Sequence, residues 1–286
     1  MGQQGDFRVD GSHIPDAHMT DRPVGYVEFC QRCSADFHQL HISKTCLLRI
    51  RSGRKTVRTF AGVETTVEQG EFVYLRRGEN LTIGNIIGDT GLYFSEGLVI
   101  DDAVISEFMQ FHPNSSNAQD VRTGHMQDGF NDAFSSVVAS LDDAGVSDAI
   151  LSYRTQELLL WLQLHDVAHH IHCCESLRDR LRSLFEGDLE RSWKAPDAAR
   201  ELGMSEATLR RTLSKEGTGF TENLRDVRLA FALMRIQTTQ HPLAEIAFEC
   251  GFSSQSRLSE AFKARFDITP GKLRATDAQF ASFEMT

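Results

Sequence analysis

At 286 residues the chain is longer than a typical single small domain, so two domains are the default expectation. A composition of 41% hydrophobic and 24% charged residues supplies a core and excludes wholesale disorder, and no apolar run approaches the roughly 18 residues of a bilayer span. The net charge of −10 is uneven: residues 176–276 hold 17 Lys and Arg against 14 Asp and Glu, and the remainder 13 against 26, so a mildly basic module suited to phosphate is joined to an acidic one.

Residues 1–24 carry no period and read as a loose polar leader without the apolar stretch of a secretion signal. From about 37 to 100, short β-like runs such as TCLLRI, FVYLRR, NLTIGNIIG and GLYFSEGLVI alternate with turn signals. Leu48 and Ile50 alternate with Arg49 and Arg51, while Gly53, Gly62, Gly70, Gly78, Gly84, Gly88 and Gly91 punctuate the runs. Short strands at this spacing point to an antiparallel barrel or sandwich. Arg49 and Arg51, with Tyr74 and Tyr93, form the candidate effector-binding set; a solvated face for the arginines and barrel core for the tyrosines are the plainer readings.

After Pro113 and a polar stretch the period turns helical. Phe130, Phe134, Val137 or Val138, and Leu141 recur on one face near 128–142, Gly145 marks a stop, and Ser147 is placed to cap a second helix over 148–164. Leu151, Leu158, Trp161 and Leu162 on that helix exceed one apolar stripe and are the candidate dimerisation residues, with packing on the first helix as the alternative. The His- and Cys-rich stretch 165–176 reads as a linker. The expected domains are therefore 1–172 and 173–286.

The second domain contains one unit twice, over 195–216 and 243–266. Ala199 precedes Gly203 by four residues and Leu209 and Leu213 follow at i, i+4; Ala247 precedes Gly251 by four, and Leu258 and Phe262 follow. A helix-turn-helix needs these types: a small residue where helices cross, a glycine for positive φ, and an apolar pair facing the first helix. Ser205 and Ser253 stand where a cap of the second helix is expected. Between the units, FTENLRDVRLAFALMRIQ places Leu224, Val227, Phe231 and Met234 on one face, with Thr221 as the expected cap and His241-Pro242 as a stop. Thr269-Pro270 opens a final short helix.

The stretches SEATLRRTLSKEG and LRDVRLAFAL, with the pattern IAxxxGFSxQSxxxxxFKxxFxxxP over 246–270, resemble the DNA-binding domain of the AraC/XylS family of regulators. The barrel and two helices resemble, more loosely, that family's cupin-like effector and dimerisation domain. The fold class expected is thus α+β: a cupin-like antiparallel β-barrel with two helices, then an all-α domain of two helix-turn-helix units on a linker helix. Carried over by position, the resemblance implies reading helices at 205–216 and 253–265. Their base-facing residues are Ala207, Arg210 and Arg211 in the first, and Gln255, Ser256 and Glu260 in the second, flanked by Ser254. Arginine suits guanine and glutamine adenine. Lys215, Arg257, Lys263 and Arg265 are the phosphate candidates. The partners implied are promoter DNA, RNA polymerase, a second copy of the chain and a small-molecule effector, in a cytoplasmic activator that uses no cofactor.

Other signals carry less. Cys30 and Cys33 form a lone CxxC, and the cysteines at 30, 33, 46, 173, 174 and 250 have no spacing that forces disulfides, so thiols are expected. His165, His169, His170, His172, Cys173 and Cys174 could hold a metal only on a fixed backbone, and a solvated linker is the expectation. No histidine lies between His41 and His112, which argues against a metal-dependent cupin enzyme. A protein-interaction or metal-sensing role for the first domain is the alternative to effector sensing.

Overall fold

The computed structural model describes residues 22–113, 122–165, 167 and 177–274. Nine strands are present among these residues: β1 (Val24–Gln31), β2 (Ala35–His41), β3 (Thr45–Ser52), β4 (Arg54–Arg58), β5 (Glu64–Val67), β6 (Glu71–Leu75), β7 (Asn80–Ile86), β8 (Tyr93–Ile100) and β9 (Thr123–His125). They pair antiparallel in two sheets, β1-β8-β3-β6-β9 and β2-β7-β4-β5, in place of one closed barrel. At Gly53 the chain turns from β3 in the first sheet to β4 in the second. The Gly53 φ of 75° is left-handed, and a β-carbon there would strike the Ile86 carbonyl.

Strand parity sorts the core into layers. Leu48, Ile50, Val57, Leu81, Ile83 and Tyr93 fill the space between the sheets. Leu47, Phe72, Tyr74 and Leu98, on the opposite face of the five-stranded sheet, are covered by helices. These are α1 (Asp102–Phe111), α2 (Asp128–Asp142) and α3 (Asp148–Leu164). Helices α2 and α3 fall where the sequence period places them, and the Ser147 hydroxyl accepts from the Ile150 amide as the cap of α3. Helix α1 has no counterpart among the sequence expectations; the Asp101 side chain caps it by accepting from the Ala103 amide.

The expected boundary near 172 lies outside the described residues. Beyond it come α4 (Leu177–Glu186), α5 (Ala195–Glu201), α6 (Glu206–Lys215), α7 (Phe220–Thr238), α8 (Leu243–Glu249), α9 (Gln255–Phe266) and α10 (Pro270–Leu273). The N-terminal half of α7 gives Leu224 and Val227 to a core shared with α4, α5 and α6. Its C-terminal half gives Leu229, Leu233 and Ile236 to a core shared with α8, α9 and α10. Helix α7 begins at Gly219 rather than at a Thr221 cap, because Glu222 reaches back to the Gly219 amide at 3.3 Å.

The sheets rest on the second of these helical cores. Phe37 of β2, 1% exposed, sits inside it with its ring edge-on to Phe266 at 5.6 Å. Arg32 donates to the carbonyls of Lys272 and Gly271 at 3.1 and 2.5 Å. A buried polar thread crosses the same joint. Lys55 Nζ donates to Asn85 Oδ1 at 2.5 Å, Asn85 Nδ2 to Gln31 Oε1 at 3.0 Å, and Gln237 Nε2 of α7 to that same Gln31 oxygen at 2.6 Å.

Candidate nucleic-acid interface

Two helix pairs, α5–α6 and α8–α9, carry the interface. In each, a buried alanine (Ala199, Ala247) lets the helices cross, and a glycine with φ of 70° (Gly203, Gly251) makes the turn. Leu209 and Leu213 of α6, and Leu258 and Phe262 of α9, are fully buried against the preceding helix. Helical geometry then turns the opposite face outward.

The first turn is closed by Ser205, whose hydroxyl accepts from the Thr208 amide at 3.1 Å. In the second, the cap is Ser254, accepting from the Arg257 amide at 3.3 Å, and not Ser253. The extra residue between Gly251 and Leu258 moves the cap along by one.

The outward faces hold the residues singled out by the sequence. Ala207, Arg210, Arg211 and Lys215 are exposed on α6, as are Gln255, Ser256, Arg257, Glu260 and Lys263 on α9; Ser254 is half-buried by its capping role. Arg210 Nε lies 2.7 Å from Glu206 Oε1, one turn earlier, and Arg257 lies 3.6 Å from Glu260. Arg211, Lys215 and Lys263 have no ion pair among the described residues. Arg265 departs from the phosphate role expected of it: it donates to the His38 carbonyl at 2.8 Å and pairs with Asp226 at 3.4 Å, so the joint with the sheets occupies it.

Residues 198–276 match the helix-turn-helix domain model, and residues 45–172 match the ExsA N-terminal regulatory domain model. The transcriptional activator PerA of Escherichia coli O127:H6 is 24% identical over 73% of this chain and 77% of its own length. The urease operon transcriptional activator of Escherichia coli is 30% identical over 37% of this chain, and the match spans 36% of that protein. The chain is similar to AraC/XylS regulators in both its helical and its two-sheet part. Crystal structures of ToxT from Vibrio cholerae share the fold of this chain: the apo form of a ToxT point variant aligns with a TM-score of 0.61 at 16% identity, covering 87% of this chain and 95% of that one. Another ToxT structure carries an unsaturated fatty acid.

The residues suggested for the effector do not converge. Arg49 and Arg51 lie 2.8 and 2.7 Å from Glu96, and Arg49 also donates to Asn131 of α2 and stacks over Phe134. Tyr74 is buried on that helix-covered face, whereas Tyr93 lies between the sheets. A strand's two faces separate them, so the four residues make no common pocket. The polar group between the sheets is a different one. Lys55 is 4% exposed and 5.0 Å from the Tyr93 ring centroid, and burial pulls its pKa down to about 7.

The dimerisation set is also corrected. Leu151, Leu158 and Leu162 are fully buried in the core under the five-stranded sheet, and Trp161 stacks on Phe130. The exposed apolar residues of α3 are Ile150, Tyr153, Leu160 and Leu164. Of the His- and Cys-rich stretch, only His165 and Val167 are described; His165 packs edge-on to Phe72 at 5.4 Å, and the other suggested metal ligands lie outside the described residues. Sequence reading missed one cluster: His241, Glu245 and Glu249 bring their ligand atoms within 4.8 Å of one another. Arg235 donates to Glu249 at 3.0 Å and to His241 at 3.0 Å, so a guanidinium already supplies the positive charge there.

Proposed function

We propose that this chain is a cytoplasmic transcriptional activator that binds promoter DNA sequence-specifically through α6 and α9. The observation that carries the reading is the duplicated helix pair, each anchored by two buried residues and each turning a polar, partly cationic face to solvent. The linker helix α7 has 19 residues and so spans about 28 Å, close to the roughly 34 Å repeat of the major groove. Arg210 and Arg211 read bases from α6; Gln255, Ser256 and Glu260 read from α9, with Ala207 offering apolar contact to a thymine methyl. Lys215, Arg257 and Lys263 hold phosphates.

The activator role and the contact with RNA polymerase are supported by the likeness to transcriptional activators. Homodimerisation is supported by the row Ile150, Tyr153, Leu160 and Leu164, which follows the spacing of a helix-packing seam. Small-molecule sensing by the two-sheet domain is supported by its match to a regulatory domain and by the fatty acid held in a ToxT structure.

Selection of genomic fragments on the purified full-length chain tests the reading. One recurrent sequence should be recovered, with affinity that falls steeply as salt rises. Recovery of fragments without a shared motif would overturn it. A metabolite that raises the unfolding midpoint of the same full-length chain identifies the effector class.

A further inference from the structure

A linker helix fixes the distance between two reading heads, but something must also fix how the second head is rotated about it. The junction shows what does so. Arg228, in the middle of α7, donates from Nε and Nη2 to the Leu189 carbonyl at 3.1 and 2.8 Å, and from Nη2 to the Arg191 carbonyl at 2.9 Å. Those carbonyls belong to the loop leading into α5, and the Leu189 side chain is buried in the core of the first head. Burial lowers the Arg228 pKa, with the Cys250 thiol close by.

The same contact lies directly against the turn of the second head. A β-carbon at Gly251 would collide with the Leu189 carbonyl oxygen and press on the Arg228 guanidinium. Gly203 is an internal control. It makes the equivalent turn with the same φ of 70°, yet the place its β-carbon would occupy is open. Gly203 is required for its backbone conformation alone, whereas Gly251 is required also because its turn sits directly on Leu189 and Arg228.

We propose that Arg228 is the positioning residue that sets the angle between the two reading heads, and thereby the separation of the two half-sites that one chain accepts. The planar fork of a guanidinium suits this, since it holds two loop carbonyls at once while lying against the turn. Neither Arg228 nor Gly251 touches DNA in this account; both act through the placement of α9. The inference rests on the DNA-binding reading given above.

The test is in vitro selection from a random 40-base-pair duplex library with the full-length chain and three variants: Arg228→Gln, Gly251→Ala and Gly203→Ala. The parent chain should recover two half-sites at one fixed separation. Arg228→Gln and Gly251→Ala should recover the same half-site sequences at scattered separations. Their affinity for the parental two-site duplex should fall about tenfold, while binding to a duplex with one half-site stays within about twofold. Gly203→Ala carries the same backbone strain without the contact and should keep the parental separation. Were both Arg228→Gln and Gly251→Ala to keep the single parental separation, the positioning role would be wrong while the DNA-binding reading stood. Recovery of no two-part motif by the parent chain would remove the DNA-binding reading itself, and the positioning role with it. Where Arg228→Gln fails to melt cooperatively, the comparison of Gly251→Ala with Gly203→Ala decides.

Discussion

Single residues decide two properties of this molecule. Arg211 stands exposed on α6 without an ion pair among the described residues, so its guanidinium can meet a base edge without first giving up a partner. Arg211→Ala should cost about 1–3 kcal/mol of specific binding and relax preference at one base pair, as read by competition with random duplex. Equal losses on specific and random DNA would instead assign Arg211 to phosphate. Lys55 bears on stability. In the unfolded chain its amine titrates near 10.5, but burial between the sheets brings it to about 7. Between these values the unfolded chain holds a proton that the native chain has released, so this group makes stability rise with pH across that window. Below about 7 the native chain carries a buried ammonium, and the full cost of burying it remains. Lys55→Met should therefore help stability more at pH 6 than at pH 9 in paired urea melts. A pH-independent difference would mean that Lys55 is not desolvated.

At the scale of elements, local chemistry was legible and facing was not. The helix-turn-helix pairs announce themselves because alanine, glycine and an i, i+4 apolar pair each answer a local demand. The cap of α9 eluded the same logic, since Ser253 and Ser254 are chemically identical and only the length of the turn chooses between them. Ser254→Ala should cost about 1 kcal/mol in thermal unfolding, and Ser253→Ala should cost only a few tenths; comparable losses would contradict the assigned cap. Strand parity placed Arg49 and Tyr93 on strands but could not say that β3 and β8 turn them to opposite sides of one sheet. In α3 the excess of Leu and Trp was visible, yet which apolar face was already covered depended on α1, a helix the sequence did not reveal. The polar thread from Lys55 to Gln237 was invisible for a related reason: Gln31 and Gln237 are far apart in sequence, and no local pattern links them.

Across the whole molecule, the two reading heads are held differently. The core of the second head is completed by Phe37 from the sheets, and Arg265 at the end of α9 is bound to the carbonyl of His38. Phe37→Ala should therefore loosen α9 at a distance from DNA, through a cavity costing about 3–5 kcal/mol. Hydrogen exchange of α9 amides should accelerate in that variant, and unchanged exchange there would refute the shared core. Placement of α9 relative to the sheets, and of α6 relative to α9, then depends on contacts that the domain composition alone does not disclose.

Entry of α6 and α9 of one chain into successive major grooves on one side of a duplex can be read by hydroxyl-radical footprinting of the full-length chain on its selected DNA. Two protected patches about ten base pairs apart on one face of the helix are expected. A single patch, or two on opposite faces, would contradict it.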